Sequence, residues 1–359
     1  MRLNRLFSLL VLLLLLPFLA SIVLHAQTAA PAAPSNASVD APVNLQPDLS
    51  RADIWREIRQ GGQGQVSIQD PNSATLVQSE GDNWRWVRNG PYKVYSAWVL
   101  LGSIGIVALF FALRGRVRVD EGLSGRTIQR FGAVERFAHW LTAICFVVLA
   151  LSGINLVYGK ALLMPLMGQE LFASITMIGK LLHNYLAFGF LAGIALMLVL
   201  WVWHNIPNHH DLLWLLRLGG LFGGGHPHAK KFNAGQKLIF WAVILGGLSL
   251  GLSGLQLMFP FQFHFFGDTF VYLNRWFELG LPADLSAMEE QQLASLWHGF
   301  VGMVLTAIII GHIYIGSLGM EGAFAAMGSG KVDINWAREH HDLWVDKIER
   351  ERGLSATGD

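Results

Sequence analysis

Apolar and polar positions fall in long blocks along this chain instead of alternating. Five apolar runs stand out: Tyr95–Leu113, His139–Val157, Leu181–Trp203, Leu238–Phe259 and Leu296–Leu318. Each has the length of a bilayer-spanning helix, since about 20 residues at 1.5 Å rise cross about 30 Å of hydrocarbon. None of the five contains Asp, Glu, Arg or Lys, and Lys180 and Lys237 stand just beyond run ends. A further run, Leu6–Leu24, follows Arg2 and Arg5 and precedes small residues from Ala26 onward. That order predicts a signal peptide over residues 1–26, or an uncleaved anchor given the length of the run. Residues 27–94 are polar and are expected to lie outside the cytoplasm. Their Ala/Pro/Ser-rich start, Thr28–Pro42, predicts a linker. A helical patch over Leu49–Gln60 is expected to break at Gly61-Gly62-Gln63-Gly64. Trp84, Trp86, Pro91 and Tyr92 suit a headgroup-level belt before the next span. No repeat of 20–50 residues is present.

Composition narrows the class. Hydrophobic residues make up 53% of the 359 and charged residues 14%, well below the quarter typical of soluble domains. With 26 basic and 25 acidic side chains the net charge is +1, which offers no nucleic-acid footprint. The single cysteine, Cys145, excludes an intrachain disulfide, an iron–sulfur cluster and c-type haem attachment. Metal chemistry must therefore rest on the 13 histidines. The loops differ in charge. Residues 114–138 carry Arg114, Arg116, Arg118, Arg126, Arg130 and Arg136, and 205–237 carry Arg217, Lys230, Lys231 and Lys237. Residues 259–293 instead carry Arg275 against Asp268, Glu278, Asp284, Glu289 and Glu290. The positive-inside rule places the basic loops and the tail in the cytoplasm and the mature N-terminus in the periplasm. The expected organisation is a span at 95–113, a cytoplasmic loop at 114–138, a four-helix core at 139–318, and a cytoplasmic tail at 319–359 with a short amphipathic helix.

Four histidines fall at membrane depth: His139, His183, His298 and His312. His298 and His312 are 14 residues apart, about 40° short of four helical turns, so they share a face about 21 Å apart along the axis. His183 enters its span from the side of His298, and His139 from the side of His312. Two pairs at two depths result, as bis-imidazole ligation of two stacked b haems requires. Each histidine is followed four residues later by a small residue, Ala143, Ala187, Gly302 or Gly316, which lets a flat ring approach. The plainer alternative is buried histidines hydrogen-bonded between helices; a metal transporter would also want carboxylates in its spans. His204 is expected at headgroup depth, in a polar turn running through Asn205-Ile206-Pro207-Asn208-His209-His210-Asp211. Asn233-Ala234-Gly235-Gln236-Lys237 reads as a helix start, with Asn233 as cap and Lys237 snorkelling. It reads equally as a polar pocket whose amides hold a quinone carbonyl.

Several stretches carry a resemblance: Arg136-Phe137-Ala138-His139-Trp140, Leu151-Ser152-Gly153-Ile154 and His204-Asn205-Ile206-Pro207. They are joined by Lys231-Phe232-Asn233-Ala234-Gly235-Gln236-Lys237, the His298/His312 spacing, and Trp336-Ala337 with His340-His341. On these, residues 127–350 resemble the cytochrome b (gamma) subunit of respiratory formate dehydrogenase. The resemblance implies an all-α membrane protein of a bacterial inner membrane: a four-helix diheme transmembrane bundle, with Tyr95–Leu113 as one extra N-terminal helix. It implies His183 and His298 on the outer haem iron, His139 and His312 on the inner one, and a quinone (ubiquinone or menaquinone) at Asn233, Gly235 and Gln236. It also implies an iron–sulfur (beta) subunit that supplies electrons and a molybdopterin (alpha) subunit that oxidises formate. Residues before 114 depart from the family pattern. The rival expectations are a cytochrome b of a membrane-bound hydrogenase or thiosulfate reductase, and a haem-free transporter or assembly protein.

Overall fold

The computed structural model describes residues 81–220, 225–351 and 353. The signal segment, the linker and the Leu49–Gln60 patch lie outside the described residues. The chain is a helical membrane protein. Helix α1 spans Gly81–Val87 and passes through a π-helical turn, Arg88–Tyr92, into α2, Lys93–Arg114. Then come strand β1 (Thr127–Gln129), α3 (Ala133–Leu162), the single turn α4 (Met164–Met167) and α5 (Gln169–Trp201). Helices α6 (His209–Leu216), α7 (Ala234–Met258), α8 (Phe265–Phe277) and α9 (Ala287–Tyr314) follow. The chain continues with α10 (Ala325–Gly328), strand β2 (Lys331–Asp333) and α11 (Ile334–Glu351). Five helical stretches among the described residues are long and apolar enough to cross a membrane: Gly81–Arg114, Ala133–Leu162, Gln169–His204, Ala234–Met258 and Ala287–Gly319.

Most of these stretches run past the apolar windows because their polar ends are capped. Glu135 reaches back to the Gly132 amide at 2.7 Å, starting α3 before the window opens at His139. Asn208 caps α6 by accepting from His210 N at 3.0 Å, while Asp211 accepts from Asn208 N at 2.6 Å. The polar turn expected from His204 to Asp211 is therefore a 3₁₀ turn followed by a capped helix start.

Two compact units divide the chain. One holds Tyr92–Gly254 and the chain from His298 onward; the described part of the other holds 81–91 and Leu255–Trp297. In the first, the lipid-exposed faces are apolar: Trp98 of α2 is 70% exposed, and only Ser96 of that helix is buried. Ser96 Oγ meets Tyr158 OH at 2.5 Å, and Tyr158 OH donates to Lys93 O at 2.8 Å, which ties α2 to α3. Phe131, Trp201, Phe232, Trp336 and Trp344 are buried in the core of this unit. There the tail folds back: β2 pairs antiparallel with β1, matching Ile128 with Val332. Gly330 turns the chain into this pair at φ +82° and accepts from Arg130 N at 2.8 Å, a conformation that strains any residue with a Cβ. The amphipathic helix expected in the tail is α11, whose Trp336, Ala337, His341, Trp344 and Val345 are buried; the strand before it was not anticipated. In the second unit, Glu290 is fully buried and accepts from the Gly267 amide at 2.6 Å, from the Phe266 amide at 3.1 Å and from Gln256 Nε2 at 2.5 Å. Its carboxylate thus caps α8. Trp84 Nε1 donates to Ser295 Oγ at 2.9 Å.

Candidate functional site

The four intramembrane histidines meet as two pairs. His183 of α5 faces His298 of α9 with ring centroids 6.1 Å apart and ring planes at 59°. His139 of α3 faces His312 of α9 at 6.1 Å and 58°. A first-row metal sits about 2 Å from an imidazole nitrogen, and the ring centroid lies roughly 1.1 Å behind that nitrogen. Two imidazoles on opposite sides of one metal therefore place their centroids about 6.2 Å apart. Both pairs match that separation.

A serine hydroxyl meets each ring of the His183–His298 pair. Ser152 of α3 lies 2.8 Å from His183 Nδ1, and Ser253 of α7 lies 3.0 Å from His298 Nδ1. A hydroxyl has one hydrogen to give. Ser152 Oγ gives it to Val148 O at 2.7 Å, and Ser253 Oγ to Ser249 O at 2.8 Å, each one turn back. Each hydroxyl must then accept from the imidazole, so Nδ1 carries the proton and Nε2 keeps its lone pair. This arrangement fixes tautomer and ring orientation as in established metal sites. The residues after the serines clear the same rings: a Cβ at Gly153 would lie 3.7 Å from His183 Cε1, and one at Gly254 3.4 Å from His298 Cε1. The other pair differs. His139 Nδ1 is buried with no hydrogen-bond partner.

Sequence reasoning missed the serines as orienting groups, although a signal exists. Leu151-Ser152-Gly153 recurs as Leu252-Ser253-Gly254 on a second span, each followed by Ile or Leu and then an amide residue. Of the small residues expected four positions after the histidines, a Cβ at Gly316 meets nothing within 4 Å and one at Gly302 meets only Leu250 at 3.8 Å.

At the start of α7, Asn233 and Gln236 form a reciprocal capping box: Gln236 N donates to Asn233 Oδ1 at 3.0 Å, and Asn233 N to Gln236 Oε1 at 3.2 Å. Gly235 leaves room for Trp214, whose ring a Cβ would meet at 2.8 Å. The element is therefore a helix start with Asn233 as its cap. The two side-chain amide nitrogens take no part in the box. Lys237 does not snorkel. It is 4% exposed, with Nζ on Asp211 at 2.8 and 3.1 Å and on Ile206 O at 3.2 Å. A residue in contact with Gln236, read from sequence only as a loop charge, is Arg130. Its Nη2 donates to Lys231 O at 2.8 Å and to Gln236 Oε1 at 3.3 Å. The guanidinium lies over the rings of Phe131, Trp336 and Trp344 at 5.1–5.6 Å, and burial pushes its pKa down to about 9. His341 is buried beside it, held well below its usual value, and donates from Nδ1 to Lys230 O at 2.8 Å. His204 stacks on Phe232 at 6.4 Å, and the rings of His209 and His210 lie 3.8 Å apart.

Known proteins share this arrangement of sequence. The cytochrome b556(Fdn) subunit of the nitrate-inducible formate dehydrogenase of Escherichia coli (strain K12) is 28% identical over 228 residues, 63% of this chain and 93% of that protein. The formate dehydrogenase cytochrome b556(fdo) subunit of the same strain is 28% identical over 226 residues, 62% of this chain and 94% of that protein. A formate dehydrogenase cytochrome b556 subunit of Haemophilus influenzae is 26% identical over 222 residues, 60% of this chain and 82% of that protein. The family model described as prokaryotic cytochrome b561 matches residues 130–330, a stretch that begins at the buried arginine and contains all four paired histidines. This multi-pass chain belongs to the prokaryotic cytochrome b561 family, whose members are b-type cytochromes.

Proposed function

We propose that this chain is the diheme membrane cytochrome b of a formate dehydrogenase complex and passes electrons to quinone. The observation that carries the reading is the pair of stacked imidazole clamps, two sets of rings at the same 6.1 Å separation. His183 and His298 hold one haem and His139 and His312 the other. Each b haem, when bound, supplies reversible one-electron chemistry at its level of the membrane.

The chain's own residues do the rest. Ser152 and Ser253 hold two imidazoles as the Nδ1–H tautomer, and Gly153 and Gly254 leave space beside them. The long apolar α3 and α5 keep water from both levels. Near the start of α7, the amide nitrogens of Asn233 and Gln236, unused in the capping box, donate to a quinone carbonyl in this reading, and Gly235 lets Trp214 pack against the site. Arg130 fixes the Gln236 amide through its Oε1 and so turns the amide nitrogen away.

The loop charges favour a periplasmic mature N-terminus and a cytoplasmic C-terminus. Electrons then enter on the outer side from an iron–sulfur subunit, which a molybdopterin subunit supplies from formate. Quinone takes two electrons and two cytoplasmic protons on the inner side. Inward movement of each electron is worth about 2.3 kcal/mol per 100 mV of potential. Residues 139–318 form the haem-binding core in this reading, with 95–113 as an added span.

The test is a haem count with partner identification. The detergent-purified complex should show two protohaems per chain by pyridine haemochrome, copurify with iron–sulfur and molybdopterin subunits, and reduce quinone with formate. A chain assembled with all its partners that contains no protohaem refutes the proposal. Copurification with a nickel–iron hydrogenase in place of a molybdopterin subunit refutes the formate assignment while leaving the haem clamps standing.

A further inference from the structure

A second convergence of ligand-type side chains lies outside the membrane-spanning helices and away from both imidazole pairs. His226 stands in the segment leading to α7, Glu339 and His340 are consecutive on α11, and Asp120 lies in the connection between α2 and β1. His226 Nε2 is 3.0 Å from Asp120 Oδ2 and 3.3 Å from Glu339 Oε1. His340 Nε2 is 3.6 Å from the same Glu339 oxygen. The ligand atoms of His226, Glu339 and His340 all lie within 4.8 Å of one another.

Two of these atoms are buried without a use. The side chains of Glu339 and His340 are 8% and 10% exposed, yet Glu339 Oε1 and His340 Nε2 have no hydrogen-bond partner. Native structures rarely leave buried polar atoms in that condition, and an absent ion is one recognised reason. The second oxygen of Glu339 accepts from the Asp120 amide at 2.8 Å, which holds the carboxylate in place. The His340 ring is set edge-on against Trp336, with centroids 5.1 Å apart. Supported ligands of this kind are what a metal site requires.

We propose that His226, Glu339 and His340 bind a zinc ion. Zinc–nitrogen and zinc–oxygen bonds of about 2.05 Å give tetrahedral edges of about 3.3 Å. The observed 3.3 and 3.6 Å lie at and slightly above that edge. Two imidazoles in the set select a transition metal over calcium or magnesium. Three protein ligands leave the fourth tetrahedral position to water. The ion staples together two segments far apart in sequence: the segment entering α7, and α11.

The experiment uses the full-length chain in detergent with a histidine-free affinity tag. Bound metal is stripped with EDTA, zinc chloride alone is added back, and zinc is counted by mass spectrometry after gel filtration. Wild type should retain one zinc more per chain than His226→Ala/His340→Ala. Each single variant loses a direct ligand and should weaken binding by more than the roughly 10–100-fold typical of losing an orienting partner, in competition with a fluorescent chelator, and His228→Ala should bind as wild type does. Circular dichroism checks that each variant keeps its helices. If His340→Ala loses them, His226→Ala decides, because that side chain is 32% exposed. Equal zinc in wild type and His226→Ala overturns the proposal, and so does a wild type that takes up none at micromolar zinc.

Discussion

The serine–histidine bonds make a selective prediction. Ser152→Ala and Ser253→Ala should damage the His183–His298 site and spare the His139–His312 site. Each substitution removes one acceptor, at 2.8 or 3.0 Å, from an imidazole N–H inside an apolar bundle. Leaving a buried donor unpaired costs about 1–3 kcal/mol. That range agrees with the 10–100-fold loss of metal affinity, about 1.4–2.7 kcal/mol, typical when an orienting partner is removed. The N–H···O bond also makes the ring a stronger donor to oxidised iron. If about 0.5–1 kcal/mol of the bond is specific to the oxidised state, its loss raises the midpoint potential by roughly 20–45 mV at 59 mV per tenfold. The assay is a spectroelectrochemical titration resolving the two b components, with timed haem transfer to apomyoglobin. One component should move upward and leave 10–100 times faster while the other is unchanged. Equal shifts in both components, or none in either variant, refute the tautomer argument.

Three further outcomes are expected. His139→Ala and His312→Ala should each lower the pyridine haemochrome count from about two per chain to about one and leave the second haem in place; loss of both from either variant argues against independent clamps. Lys237→Ala should lower the thermal midpoint through loss of roughly 3–5 kcal/mol, because Asp211 and the Ile206 carbonyl lose their buried cation. Asp333 accepts from Ser124 Oγ at 3.0 Å and from the amides of Gly125 and Asn335 at 2.8 and 2.9 Å, and these bonds hold its pKa below the usual value. A depressed carboxyl stabilises the fold above its unfolded pKa, near 3.9, and that contribution fades as pH falls through the lower folded value. Exchange protection of the Gly125 amide should fade over that window; an Asp333→Asn chain that shows the same pH dependence would count against the assignment.

Much of the membrane part was legible in the chain because it depends on local quantities. Run length gives the spans, and 100° per residue puts His298 and His312 on one face. The separation within each histidine pair needed the helices to pack. Helix ends were less legible: Glu135, Asn208 and Asn233 start helices outside the apolar windows through capping bonds that hydropathy does not register. Lys237 illustrates the limit. Beside a span it looks like a snorkelling side chain; its partner Asp211 lies 26 residues back, beyond the reach of any periodicity. The Ser-Gly repeat could have been noticed, since both copies lie in apolar runs and follow a leucine. The tail pairing of β1 with β2 is three residues long, too short to leave an alternating pattern.

That short ribbon has a consequence for how the molecule is made. Thr127–Gln129 must wait for Lys331–Asp333, some two hundred positions later, and Val117 must wait for Met320. At roughly 5–20 residues per second the delay is about 10–40 s. During it the nascent chain has already threaded its early spans, while Arg130 has neither Trp336 nor Trp344 above it. A ribosome that stops after the last span would release a product with every imidazole clamp encoded but its latch missing, a ready substrate for membrane quality control.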